Sequence, residues 1–239
     1  MGTLGRVLGV SPGRILAPVP PLHRLAVVPD VHMRRGLFEE AVRLHEQGCR
    51  VVFLGDYVDN GPRANDPVFL RELFGFCREA HATPLLGNHD LAYVFPDRED
   101  YRINGYEPAT AAAVAEVYAE YAADFAYVHR VGKYVFSHAG LGQPLLNALA
   151  LRYGAVDLDD AVAYLNERQP PELFFRSRYN GGTDAFDGPT WLRLPQFHGA
   201  LAEEGITQVV GHSSQAVIRL RHNMLMIDVK RALVLEWAA

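Results

Sequence analysis

Three strand-length apolar runs, Arg24 to Val28, Arg50 to Leu54 and Thr83 to Leu86, alternate with two stretches of helical periodicity in the N-terminal part of the chain. Arg34 to Gln47 carries Leu37, Phe38, Ala41, Val42 and Leu44 at helical spacing before Gly48, a residue that caps helix C-termini. Pro67 to Ala80 repeats the pattern. Such a βαβαβ order predicts parallel strands covered by crossover helices. Each strand ends in a polar cluster: Asp30 and His32, then Gly55-Asp56-Tyr57-Val58-Asp59-Asn60-Gly61, then Gly87-Asn88-His89-Asp90. Open α/β sheets bind ligands at those carboxyl ends.

Further along, Glu107 to Ala126 reads as a helix within a helical insertion around 97–130, and Tyr134 to Phe136 as a strand leading into Ser137-His138-Ala139-Gly140. Helices are expected at Leu145 to Tyr153 and Asp160 to Glu167, and a Gly/Asp-rich loop at Arg178 to Pro189. Ile206 to Val210, Val217 to Leu220, Met224 to Val229 and Ala232 to Trp237 read as short strands of a second, antiparallel sheet. After a Pro/Gly-rich lead-in over 1–22, the remainder to 239 is expected to form one domain, since 49% hydrophobic residues suffice for a large core. The net charge of -5 argues against bulk nucleic-acid binding. No run approaches the ~18 apolar residues of a membrane span. Only Cys49 and Cys77 occur, both in apolar surroundings, and such sparse usage points to reduced thiols in the cytoplasm.

Any one of these polar clusters has a mundane reading, as a helix cap or a turn. Five in order, with Gly211-His212-Ser213 as the last, define a metal-binding set. Asp30, His32 and Asp56 would serve one ion, and Asp56, Asn88, His138 and His212 a second, with Asp56 shared. A bridging carboxylate can hold two cations about 3.5–4 Å apart. The mixed oxygen and nitrogen donors, without thiolate, suit two divalent ions such as manganese, with iron or zinc as alternatives.

Asp-x-His, Gly-Asp-x-x-Asp, Gly-Asn-His-Asp, Ser-His-Ala-Gly and Gly-His-Ser, spread from Asp30 to His212, resemble the ordered motifs of calcineurin-like metallophosphoesterases. Residues 55–61 are similar to the second motif of the phosphoprotein phosphatase branch, which includes Ser/Thr protein phosphatases and bacterial diadenosine tetraphosphatases. The resemblance implies the metallo-dependent phosphatase fold, a four-layer α-β-β-α sandwich of two mixed sheets flanked by helices. It implies attack on phosphorus by a metal-bridging hydroxide, with His89 protonating the leaving oxygen and Asp59 orienting His89.

Asn60 departs from the branch, which usually carries a phosphate-binding Arg there, and Pro29 and Met33 stand where Gly is usual. Arg193, in a Gly-Pro-x-Trp-x-Arg stretch that resembles a late segment of bacterial members, is the preferred replacement; Arg63, Arg34 and Arg35 are others. Asn88 would also touch substrate phosphate. The expected substrate is a phosphate monoester on a protein or small molecule. The alternative is a dinucleoside polyphosphate, because Gly-Asn-His-Asp replaces the Gly-Asn-His-Glu common in protein phosphatases. A non-catalytic scaffold is a third reading, disfavoured because every ligand is retained. Tyr118, Tyr121, Phe125 and Tyr127 are expected to pack the inserted helix onto the core, with base stacking as a minor alternative. Arg176 and Arg178 are read as a solvated loop pair.

Overall fold

The computed structural model describes residues 22–155, 157–193, 205–221 and 223–238; the lead-in, up to residue 21, lies outside them. Strands β1 (Leu22–Val28), β2 (Arg50–Phe53) and β3 (Thr83–Pro84) are parallel neighbours, with helices α1 (Arg35–Glu46) and α2 (Pro67–Glu79) as crossovers. The caps are local and legible: the Asp66 side chain accepts from Val68 N, Pro67 opens α2, and Gly48 takes the left-handed conformation just after α1. β3 is short; beyond Pro84, Leu85 N still donates to Phe53 O of β2 at 2.9 Å, and Leu85 also bridges to Ala126 on its other side.

A short helix α3 (Leu91–Val94) follows the third polar cluster, and α4 (Ala111–Glu120) lies within the expected Glu107 to Ala126 helix. The second sheet runs β4 (Val128–Val131), β5 (Tyr134–Ser137), β6 (Thr207–Val210), β8 (Met224–Met226) and β7 (Arg219–Arg221) in spatial order, with α5 (Gln143–Tyr153) and α6 (Leu158–Arg168) between β5 and β6 in sequence. It is mixed, not antiparallel as expected: β5, β6 and β8 are parallel, while β4 and β7 pair antiparallel at the edges. All three residues of β7 are exposed, whereas Met224 and Met226 are buried. The charged strand therefore takes the edge, where arginines discourage further pairing, and its hairpin returns β8 to the interior beside β6. The last strand, β9 (Leu233–Ala238), leaves this sheet altogether and pairs antiparallel with β1.

The period of two along each strand separates the layers. Leu25, Val27, Val52, Leu54 and Leu85 of the first sheet meet Phe136, Val209 and Ile227 of the second. Their alternates, Ala26, Val28, Val51 and Phe53, join the core with Leu37, Phe38 and Ala41 of α1 and Leu70, Leu73 and Phe74 of α2. Val135 and Val128 lie in a core shared with Leu149 of α5 and Leu165 of α6. The architecture is thus two mixed sheets between helices, the metallo-dependent phosphatase fold. Phe74 stands edge-on to Tyr57 and Phe125, both at 4.9 Å, and 5.4 Å from Tyr118. A ring so placed is worth about 3–5 kcal/mol relative to Ala. It also fixes Tyr57, the neighbour of Asp56. Cys49 and Cys77 are buried free thiols. Among the described residues no helix is long and apolar enough to cross a membrane.

Candidate metal centre

The loops that leave β1, β2, β3, β5 and β6 meet at one end of the two sheets. His32, Met33, Asp56, Asp59, Asn60 and His212 all have positive φ although none is glycine. Each such residue costs of order 1–3 kcal/mol and persists only where surrounding contacts impose it. Here His32 N donates to Asp56 O at 2.7 Å, Met33 N to Tyr57 O at 2.9 Å, and His212 N to Asp30 Oδ1 at 3.0 Å. Buried Asp90 holds the second and third loops together by accepting from Asp56 N, Tyr57 N and Gly87 N at 2.7–3.0 Å, and from the Tyr118 hydroxyl at 2.5 Å.

Glycine is required where backbone approaches these carboxylates. A Cβ on Gly87 would overlap Asp56 Oδ1 and stand 2.8 Å from His138 Cε1; one on Gly211 would overlap Asp30 Oδ1. Gly87→Ala is therefore expected to displace Asp56 and lower metal affinity about 10–100-fold, the range for disturbing a ligand's immediate support. Metal titration of the folded variant checks this.

The side chains present donor atoms that could hold a metal ion. His138 Nδ1–H donates to Leu54 O at 2.9 Å and His32 Nδ1–H to Val58 O at 2.7 Å, which leaves each Nε2 with its lone pair directed inward in the neutral ring. A histidine whose second nitrogen is held by a carbonyl is the usual metal-binding arrangement. His138 Nε2 lies 2.9 Å from Asn88 Oδ1, 3.1 Å from His212 Nδ1 and 3.4 Å from Asp56 Oδ2. His32 Nε2 lies 3.7 Å from Asp56 Oδ2 and 4.0 Å from Asp30 Oδ2. Ligand atoms of Asp30, Asp56 and His138, all buried, fall within 4.8 Å of one another. His212 Nε2 is buried with no hydrogen-bond partner among the described residues. So many acceptor atoms facing one another are costly without positive charge among them, and divalent cations fit the set.

The electrostatics agree. Burial alone would raise the Asp56 carboxyl, but facing His138, His89, His32 and His212 outweigh it and hold it below the carboxylate range. Burial pushes Asp30 up, opposed by His138 and reinforced by neighbouring Asp56. His212 is pushed well down by burial, His138 and Arg193.

At the edge of the cluster His89 Nδ1 donates to Asp59 Oδ2 at 3.2 Å, while Asp59 Oδ1 accepts from the Tyr93 hydroxyl at 2.6 Å and Asn65 Nδ2 at 2.9 Å. Burial lowers the His89 imidazole, but Asp56 and then Asp59 carry it up to about 9. His89 N donates to Asp56 Oδ1 at 2.9 Å, and Asn60 Nδ2 stands 3.3 Å from His89 Nε2. A cleft of about 290 Å³ opens over these groups and is lined also by Arg34, Arg193, Ser214, Asp228 and Lys230.

Arg193 is held there by Asn180 Oδ1 at 3.2 Å. Arg63 is exposed and does not line the cleft. Arg35 is turned to Glu72 at 2.8 Å. Asp228 and Lys230 escaped the sequence reading, although Asp228 obeys the same rule as the ligands, lying just beyond the buried run of β8. Its carboxyl is pushed up to about 6 by burial and by Asp30. Arg176 is not a solvated loop residue: it is half-buried, and its guanidinium carbon lies 4.7 Å over the Trp191 ring.

Asp30, Asp56 and His138, buried together at this end of the two sheets, could hold a metal ion. Residues 23–215 match the calcineurin-like phosphoesterase family, and the chain belongs to it. Among solved structures it is similar to a metallophosphoesterase from Sphaerobacter thermophilus (24% identity, TM-score 0.32, covering 50% of this chain and 48% of that one). It is also similar to a protein serine/threonine phosphatase from Saccharomyces cerevisiae with similarity to human phosphatase PP5 (14% identity, TM-score 0.45, covering 85% of this chain and 66% of that one). The chain thus spans about half the length of the first. No curated protein matches it.

Proposed function

We propose that the protein hydrolyses phosphate monoesters at a pair of divalent cations, manganese first, held by Asp30, His32 and Asp56 on one side and by Asp56, Asn88, His138 and His212 on the other. The observation that carries this reading is the convergence of those side chains on one point, with His89 and Asp59 paired at its edge. Bound cations supply Lewis-acid activation of water and neutralise charge on the phosphoryl oxygens. Arg193 offers a guanidinium fork to those oxygens, and the Asn88 amide lies within their reach. As a water oxygen bonds to phosphorus and the ester P–O bond breaks, His89 gives its Nε2 proton to the leaving oxygen, and the proton lost by water replaces it. Asp59 orients the ring and stabilises its charged form, and is itself fixed by Tyr93 and Asn65. Two buried free thiols fit a reducing, cytoplasmic setting.

Protein stripped with chelator and reloaded with manganese, iron or zinc is expected to regain turnover of p-nitrophenyl phosphate in proportion to bound metal. Parallel assays with a phosphopeptide and with diadenosine tetraphosphate separate the monoester reading from the polyphosphate one. Turnover that is indifferent to metal removal refutes both.

A further inference from the structure

Between α1 and α2 runs a groove of about 790 Å³, with Phe38, Val42, Phe76 and Tyr121 as its apolar lining. We propose that the lead-in segment of this same chain, residues 1–21, docks in that groove through two short basic-apolar repeats. The proposal stands apart from the phosphoesterase reading, since no residue of the metal centre lines the groove.

A glycine holds the groove open. Gly75 lies within α2, where glycine weakens a helix relative to alanine. Packing does not ask for it: a Cβ there would meet only the Tyr121 hydroxyl, at 3.6 Å, an ordinary contact. What the missing side chain provides is access to the apolar lining. Val42 and Phe76 are only half-buried, apolar surface whose removal from water by a docked segment is favourable.

Charge selects the segment. Glu39, Glu46, Glu72 and Glu79 line the groove against Arg43 and Arg71. Glu72 is already paired with Arg35 at 2.8 Å and Arg71 with Glu120 at 3.1 Å. Among the described residues Glu39, Glu46 and Glu79 have no ion-pair partner and are opposed by Arg43 alone. The fitting occupant is therefore apolar and basic. In a chain of net charge -5, residues 1–21 contain no Asp or Glu and carry Arg6 and Arg14. Each arginine directly precedes a branched apolar residue and a leucine, in Gly5-Arg6-Val7-Leu8 and Gly13-Arg14-Ile15-Leu16. Cations set beside apolar pairs complement acidic edges set about an apolar floor.

Position agrees with charge. The described chain begins at Leu22, the first residue of β1, and Arg24 Nη1 donates at 2.7 Å to the carbonyl of Gln47, the residue after Glu46. Glu46 and Glu79 are the last residues of α1 and α2, so residues 1–21 join the fold at the end of the groove where these two carboxylates stand. The 12 residues of α1 span about 18 Å, a distance that about six extended residues cover. The segment is long enough to bring both repeats into the groove.

Cleavage of the full chain by an arginine-specific protease, followed at Arg14, tests the docking. A docked segment is expected to be cut about tenfold more slowly than the free peptide of residues 1–21, because only its released fraction meets the protease. Two variants vacate the groove. Gly75→Leu fills it with a side chain, and Glu46→Lys combined with Glu79→Lys reverses its charge at exposed positions remote from the metal centre. Each is expected to bring the rate back toward that of the peptide with helical circular dichroism unchanged, and the lysine pair carries the test if Gly75→Leu does not fold. Cleavage of the wild type at the peptide's rate overturns the proposal, as does protection that the lysine pair leaves unchanged. Protection lost on dilution also overturns it, because the occupant is then the segment of a second copy.

Discussion

Asp56→Asn is expected to lower turnover about 10³-fold, the rate equivalent of the several kcal/mol that a well-placed Lewis acid contributes. The substitution keeps the size of the side chain and removes its charge. In the native protein this carboxylate faces four imidazoles, lies 3.4 Å from His138 Nε2 and 3.7 Å from His32 Nε2, and is held ionised against the penalty of burial. An amide cannot offer two anionic oxygens to two cations. Metal analysis is expected to show both ions weakened together. If one ion alone were weakened, the bridging assignment would be wrong.

His89→Asn is expected to behave differently. Its ring is not among the proposed ligands, and the backbone N–H that supports Asp56 Oδ1 survives the change. Metal content should therefore stay near that of the wild type, while turnover falls by about 10²–10⁴, the contribution of a positioned acid. The loss should be larger for an alkyl phosphate than for p-nitrophenyl phosphate, because p-nitrophenolate departs without a proton. Equal losses on the two esters would reassign His89 to substrate binding, and full activity would remove it from the chemistry.

The parts of this protein that sequence discloses are those whose causes are local. The apolar spacing of Leu37, Phe38 and Ala41 and the Asp66-Pro67 cap specify α1 and α2 without reference to anything distant. Asp30, Asp56, Asn88, His138 and His212 were legible for a related reason, since each directly follows an apolar run and the sheet gathers such positions. Partner choice between strands was not legible. Nothing within Leu233 to Trp237 says that it will pair with β1 rather than with β8, because that preference depends on which edge the rest of the fold leaves open.

The same limit hid several side chains. Asp90 reads as one more member of Gly-Asn-His-Asp, yet its carboxyl is a tie between loops, spent on backbone N–H groups and the Tyr118 hydroxyl. Arg176 reads as an ordinary loop cation until Trp191 is found beneath it and Gly181 and Gly182 beside it. Asp228 carried the strand-end signal but no motif to single it out.

The antiparallel pairing of β1 with β9 bears on how the molecule is made. Arg24 and Glu236, joined across that pair at 2.8 Å, stand 212 positions apart in the chain. As the polypeptide emerges from the ribosome, the strand that delivers the first proposed ligand waits for its neighbour until every other ligand has been synthesised. Until then its outer edge has no partner, an invitation to association between nascent chains. Slow folding and a reliance on chaperones during translation are the expected consequence of closing the first sheet last.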